Sequence, residues 1–265
     1  MLGQYIPGDS ILHRIDPRVK IILSIVFLTL VFLIDGSIEI TIMLLFMVII
    51  VLISRIPPRC IARSLRPVLL VLLLTAAINV FTTGGMPIFQ YGFIHVTSEG
   101  LILAATITIR LLLMVTSASL LTFTTTPMAL TDGIEKLLQP FRRLGLPAHE
   151  IAMMISIAIR FVPILLEEAD RIKKAQAARG ADFDTGNILQ RAKSHVPVLV
   201  PLFVSAFRRA DDLAVAMESR CYKGGLGRTR MKQLRLGRED LIAAAFMLVF
   251  TAGILYIQLV LKISA

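Results

Sequence analysis

Five stretches of the chain are nearly unbroken apolar runs: residues 19–34, 38–53, 67–81 (continued by Thr82 and Thr83), 101–126 and 241–261. A helix needs about 20 such residues, within about 17 to 25, to cross the hydrocarbon core of a bilayer. The last two runs meet that length. The first two, joined by Asp35-Gly36-Ser37, fall just short unless flanking residues contribute. The pattern therefore predicts an all-α polytopic membrane protein with about five transmembrane helices. The first 18 residues are polar and turn-rich, with Gly3, Pro7, Gly8 and Asp9, and contain no apolar core of a signal peptide.

Residues 127–238 read differently. Pro127 suits the first position of a helix, which the pattern carries to about Leu144, ahead of Gly145-Leu146-Pro147. A second helix is predicted from Ala148 to Ala178, stopped by Gly180, and a third from Asn187 to Cys221, stopped by Tyr222-Lys223-Gly224-Gly225. At about 1.5 Å per residue, helices of some 30 residues reach roughly 45 Å, longer than a small compact domain requires. Each of the last two is apolar in its first half (151–166 and 196–207) and charged in its second. The 196–207 run contains Pro197 and Pro201 and is short for a crossing. Both runs are read as lying along the membrane surface or against the inner face of the bundle. The expected organisation is a membrane domain of four spans (1–126), a cytoplasmic coupling domain (127–238) and a final transmembrane helix (239–265).

Composition agrees with lipid as the solvent. The 265 residues are 56% hydrophobic and 17% charged, with mean hydropathy +0.79, against about 45–50% and 25% in soluble domains. Two distant cysteines, Cys60 and Cys221, and four scattered histidines exclude a disulfide scaffold and a Cys/His zinc module. The formal charge of +10 would suggest nucleic acid in a soluble protein. Here it reports orientation, because cytoplasmic loops are enriched in Lys and Arg. Of the 28 Lys and Arg, all but Arg110 and Lys262 lie in residues 1–20, 54–67 and 127–238, and none lies in the loops 35–37 and 84–100. The N-terminus is then cytoplasmic, and five crossings leave the C-terminus outside.

The two charged half-helices repeat at an offset of 41. Residues 167–180 read EEADRIKKAQAARG and residues 208–221 read RRADDLAVAMESRC. Ala169/Ala210, Asp170/Asp211, Ala175/Ala216 and Arg179/Arg220 are identical, and each helix closes on a small residue, Arg and a small residue: Ala178-Arg179-Gly180 and Ser219-Arg220-Cys221. One such Arg is explained by favourable interaction with the C-terminal end of the helix dipole. Two, on similarly built helices, equally suit rigid five-donor guanidinium groups offered to a partner's groove without neighbouring bulk.

Catalytic machinery is absent from the sequence. There is no G-x-x-x-x-G-K-[ST] for ATP, since Gly224-Gly225-Leu226-Gly227-Arg228 lacks the lysine and its spacing, and no H-E-x-x-H or G-x-S-x-G. No catalytic residue, cofactor or metal ligand is assigned. Arg110 stands about nine residues into its run, where a charge costs roughly 2.5 to 3.5 kcal/mol. It is read either as bonded to helix-end carbonyls or a neighbouring polar group, or as a contact for substrate or a partner subunit. The run Lys223–Arg238 holds Lys and Arg without acid and reads as an anchor on anionic headgroups rather than a nucleic-acid site. Cys221 lacks an activating neighbour and reads as the small residue after Arg220.

The opening Ser10-Ile11-Leu12-His13-Arg14-Ile15-Asp16-Pro17-Arg18-Val19-Lys20 resembles the S-x-L-H-x-L-D-P-R-x-K start of the transmembrane (T) components of energy-coupling factor transporters, the EcfT/CbiQ family. The paired helix ends are similar to that family's A-R-G signatures, the first matching fully and the second departing as Ser-Arg-Cys. The resemblance covers essentially the whole chain. It implies a bacterial cytoplasmic-membrane scaffold joining a membrane substrate-binding S component, for a vitamin or a transition-metal ion, to two cytoplasmic ABC-type ATPases that carry ATP hydrolysis. Carried over, Ala178, Arg179, Gly180, Ser219, Arg220 and Cys221 would bind the ATPases. The apolar halves, through Ile155, Ile159, Leu166, Leu199 and Phe203, would be where S binds.

Three other readings compete. A self-sufficient secondary transporter or channel would carry ionisable residues in several spans, and only Arg110 answers. A membrane-anchored signalling or structural protein would have no ATPase partner. A conventional ABC permease half would have one coupling helix, which the 41-residue repeat argues against.

Overall fold

The computed structural model describes residues 5–34, 36–84, 87–91, 94–144, 147–183, 185, 187–224 and 236–264. It is helical apart from one short hairpin. The chain forms two compact units, one of Gly3–Gly133 with Gln233–Ala265 and the other of Ile134–Lys232.

The first unit contains α1 (Ile11–Arg14), α2 (Pro17–Leu33), α3 (Ser37–Ser54), α4 (Pro58–Leu65), α5 (Leu69–Thr82), the hairpin β1 (Pro87–Tyr91) and β2 (Ile94–Thr97), α6 (Ser98–Thr124), and the last helix of the chain. In hydrocarbon every backbone N–H and C=O must be satisfied internally, so apolar runs of this length fold as helices. Threonine is tolerated in them because its hydroxyl bonds the carbonyl one turn back: Thr29 to Ile25 at 2.9 Å, Thr116 to Leu112 at 2.7 Å and Thr124 to Leu120 at 2.8 Å. The core joins α2, α3 and α6 to the last helix, with Ile34, Met43 and Leu113 fully buried. At its centre the Phe46 ring stacks on Phe27 and Phe250, with centroids 5.9 and 3.9 Å away. The opposite surfaces keep Phe32, Leu45, Leu70 and Leu248 exposed, as lipid-facing residues are.

The second unit contains the end of α7 (Pro127–Leu138), a 3₁₀ segment (Gln139–Leu144), α8 (Ala148–Ala178), α9 (Ile188–Ser194) and α10 (Val196–Ser219). The last helix of the chain, in the first unit, is α11 (Arg238–Ser264).

Several expectations need correction. The basic segment 54–67 contains α4, which meets α5 at a bend of 60°. The loop 84–100 contains the hairpin, the one departure from helix among the described regular elements. The helix expected to run to Leu144 is α-helical only to Leu138. Pro140 has no N–H to bond the carbonyl of Lys136, and the chain tightens into the 3₁₀ segment. The helix expected over 187–221 is two helices broken at His195, where Pro197, the second residue of α10, has no N–H to bond the carbonyl of Lys193.

Among the described residues, α3, α6, His149–Ala178 of α8 and Arg238–Leu261 of α11 are long and apolar enough to cross a membrane, and α4 with α5 makes a fifth if the bent pair is one span. At 17 residues, α2 lies at the lower end of the spanning range. The helices are those of a multi-pass membrane protein by length and composition. The apolar half of α8, read from sequence as non-spanning, thus satisfies length and composition for a crossing. The basic run between Gly225 and Arg235, with its headgroup-anchor reading, lies outside the described residues, as does Asp35 of the first turn.

Candidate functional site

The two helix ends singled out by the repeat close in the same way. At the end of α8, Arg179 is the C-cap (φ −89°, ψ 8°) and Gly180 follows at φ +88°. Gly180 N–H donates to Ala177 O, and Ala181 N–H to Gln176 O, both at 3.0 Å. At the end of α10, Arg220 is the C-cap (φ −91°, ψ 14°) and Cys221 follows at φ +56°. Cys221 N–H donates to Glu218 O at 2.8 Å and Tyr222 N–H to Met217 O at 3.0 Å. Each is a Schellman motif, in which the left-handed residue after the cap lets two N–H groups return to otherwise orphaned carbonyls. Gly180 takes that conformation freely; Cys221 takes it against its Cβ. The departure from Gly to Cys therefore leaves the geometry of the second end unchanged.

The Schellman turn also places the arginines. The carbonyls of Gln176 and Ala177, and of Met217 and Glu218, are satisfied by backbone N–H groups without either guanidinium. Arg179 and Arg220 are exposed, as are Ala178, Gly180, Ser219 and Cys221 beside them. Neither side chain has a hydrogen-bond or ion-pair partner among the described residues.

In the apolar halves of α8 and α10, Ile155, Leu166, Leu199 and Phe203 are exposed and Ile159 is half-buried. Met154, Val200, Val204 and Phe207 are exposed as well. The two helices meet where Arg209 Nη2 lies 3.5 Å from Glu168 Oε2, and where Gln176 Nε2 donates to Pro197 O at 3.5 Å.

Arg110 on α6 donates from Nη2 to the carbonyl of Ile34, the C-cap of α2. That contact is to a helix-end carbonyl.

The opening motif ties the first unit together at one end. His13 Nε2 faces the Ile6 carbonyl at 3.0 Å, so it carries the proton, and Nδ1 accepts from Ser10 Oγ at 2.7 Å. Ile6 N–H in turn donates to Phe123 O of α6 at 3.0 Å. Asp16 caps α2 by accepting from Arg18 N–H at 3.0 Å, and Pro17 fills the first helical position. Lys20 Nζ, buried, donates to Thr124 O at 3.0 Å and reaches Thr125 Oγ1 and His13 O at 3.4 Å. Asp240, near the start of α11, accepts from Asp16 N–H at 2.6 Å and from Gly237 N–H at 2.7 Å. Around them is a cavity of about 440 Å³ lined by Tyr5, Arg14 and Glu239 among others. These contacts make the motif an anchor for α2, α6 and α11. Asp240 escaped the sequence reading, although its place three residues after Gly237 at the head of an apolar run is a capping signal.

Among the described residues no group of three or more His, Cys, Asp or Glu could hold a metal ion. Cys60 and Cys221 are free thiols.

Comparison with known proteins places the whole chain in context. Residues 8–233 match the family model described as cobalt transport protein, CbiQ. The energy-coupling factor transporter transmembrane protein EcfT of Ruminiclostridium cellulolyticum is 50% identical over 259 residues, covering 98% of this chain and 97% of that protein. The EcfT of Thermosediminibacter oceani is 53% identical over 242 residues, covering 91% of each. That of Clostridium kluyveri is 50% identical over 250 residues, covering 94% of this chain and 93% of its own.

Proposed function

This chain belongs to the CbiQ/EcfT family of transmembrane components of energy-coupling factor transporters, and we propose that it couples two ABC-type ATPases to a membrane S component. It is a transporter component, and in this reading ATP hydrolysis belongs to the ATPase partners. The observation that carries the reading is the pair of exposed arginines, Arg179 and Arg220, each at the C-cap of an identical Schellman turn and each without a side-chain partner among the described residues. A planar guanidinium on a rigid helix end donates to a carboxylate or to carbonyls in a groove with little loss of conformational entropy.

Each arginine lodges in a groove of one ATPase. Closure of the ATPase pair on ATP moves the two helix ends, and α8 and α10 carry the movement to their apolar halves. There Ile155, Ile159, Leu166, Leu199 and Phe203 bind the S component by apolar packing; four of the five are exposed on this chain. An exposed apolar area of this kind marks a protein or membrane contact. The substrate, a vitamin or metal ion, is held by S. The distribution of Lys and Arg supports a cytoplasmic N-terminus and segment 127–238 and a C-terminus outside.

The test is affinity purification from native membranes in mild detergent, beside the Arg179→Glu/Arg220→Glu variant, with the partners identified and ATPase activity assayed. The expected result is two ABC-type ATPases and a small membrane protein with the wild type, and loss of the ATPases with the variant. Wild-type protein that purifies alone, or a variant that keeps its ATPases, would overturn the proposal.

A further inference from the structure

The 41-residue offset organises more than the helix ends. Leu165, Glu168 and Ile172 are half-buried on α8, and the same offset gives Ala206, Arg209 and Leu213, half-buried on α10. The flanking positions 161 and 176 map onto 202 and 217, again half-buried in both helices. The repeat therefore duplicates the face by which each helix meets its neighbour.

The contacts show how the two copies face one another. Gln176, near the end of α8, bonds Pro197 at the start of α10, while a Cβ built on Gly224, beyond the end of α10, would stand 3.7 Å from Glu150 Oε1 at the start of α8. The helices run antiparallel, and midway Glu168 meets Arg209 at 3.5 Å. These two are each other's equivalents in the repeat, 41 positions apart. In an antiparallel pair of equivalent helices, the position that faces its own copy lies on the local two-fold axis, as in any isologous contact. An unaltered duplication would set like charge against like at that position. This chain holds Glu in one copy and Arg in the other.

We propose that the Glu168–Arg209 pair is the pivot of a pseudo-two-fold pair of arms, two positioning residues that hold α8 and α10 in the register placing both arginine ends equally far from one axis. Arg179 is eleven residues beyond Glu168, and Arg220 eleven beyond Arg209. At about 1.5 Å per residue each arm is about 16 Å long, and the ends stand about 33 Å apart if the helices are collinear with the axis of the pair. The neighbours of the pivot, Leu165, Ile172, Ala206 and Leu213, are apolar or small, so a slip by one turn still sets apolar against apolar. It separates the charges. With side chains 27% and 42% exposed, the pair adds little stability; its contribution is register, as a single polar contact supplies in a coiled coil. The consequence for coupling rests on the reading of both helices as levers for ATPases, whereas the register itself is measurable on this chain alone.

The experiment uses the full chain in lipid nanodiscs, with Cys60→Ser and Ala178→Cys, spin-labelled at position 178 and at the native Cys221. Pulsed electron resonance reads the distance between labels. The expected result is one narrow distance for the wild-type pair, a shift or broadening of about 5 Å, one helical turn, in Glu168→Arg and in Arg209→Glu, and the narrow distance restored when both changes are combined. Glu168→Gln/Arg209→Gln, which introduces no repulsion, should broaden the distribution and serves if a single reversal fails to fold. Single or neutral variants with the wild-type distribution, or a combined reversal that stays broad while eluting as a single species, would overturn the pivot. Co-purification is read on unlabelled chains with native Ala178 and Cys221 carrying the same Glu168 and Arg209 changes: ATPases retained beside unchanged distances would sink the pivot and spare the proposed function, and the converse result would do the opposite.

Discussion

Removal of the Asp240 carboxylate should loosen the anchor among α2, α6 and α11 by a calculable amount. Asp240 is 5% exposed and accepts two backbone N–H groups, from Asp16 at 2.6 Å and Gly237 at 2.7 Å. A hydrogen bond to a charged group contributes about 1.5–3 kcal/mol, and a buried donor left without a partner costs about 1–3 kcal/mol. Asp16 is buried, so its N–H is orphaned in Asp240→Ala; Gly237 is exposed, so water recovers part of its loss. Asp240 is also a counter-charge for the buried Lys20. The expected destabilisation is about 3 kcal/mol in Asp240→Ala, or roughly 6–12 °C in midpoint at about 2–4 °C per kcal/mol. Asp240→Asn keeps one oxygen for the Asp16 N–H and should lose about half as much. Thermal unfolding of the detergent-solubilised protein, followed by intrinsic fluorescence, checks both. A loss below about 1 kcal/mol in Asp240→Ala would refute the accounting of the two N–H bonds. Equal losses in the Ala and Asn variants would show that the charge facing Lys20 matters and the accepting geometry does not.

Cys221→Gly should stabilise the end of α10, since a left-handed L-residue costs about 1–2 kcal/mol and glycine returns about 0.5–1 kcal/mol of that as chain entropy; slower hydrogen exchange at the Cys221 and Tyr222 amides checks it. Gly180→Val, at φ +88°, should speed exchange at Ala181 and weaken ATPase co-purification without changing expression. Phe46→Ala removes the centre of an aromatic stack and should cost about 3–5 kcal/mol in the same unfolding assay, whereas Phe81→Ala, at an exposed position, should cost little. Phe203→Glu should abolish co-purification of the S component while the ATPases remain; loss of both, or of neither, would refute apolar docking on this face.

Much of the architecture was legible in the pattern of residues because hydrocarbon leaves a chain few options. A long apolar run in lipid must satisfy its own backbone, so the runs at 19–34, 38–53, 101–126 and 241–261 became helices within a few residues of their expected limits. The helix ends were legible as well, since Gly180 after Arg179 is a local signal and the repeat pointed to Arg220. Breaks inside helices were less so. Pro197 and Pro140 ended regular turns that periodicity alone would have continued, and the basic loop 54–67 coiled into α4 although its charges had suggested only an inside loop. What tertiary structure alone decided is which distant residues meet. Asp240 reaches Asp16 across 224 positions, Lys20 reaches Thr124 across 104, and Glu168 faces Arg209 at the spacing of the repeat. Local propensity acts over a turn or two of helix. Partner choice between helices depends on which faces remain unsatisfied after every helix has formed, and that is settled only when the helices pack.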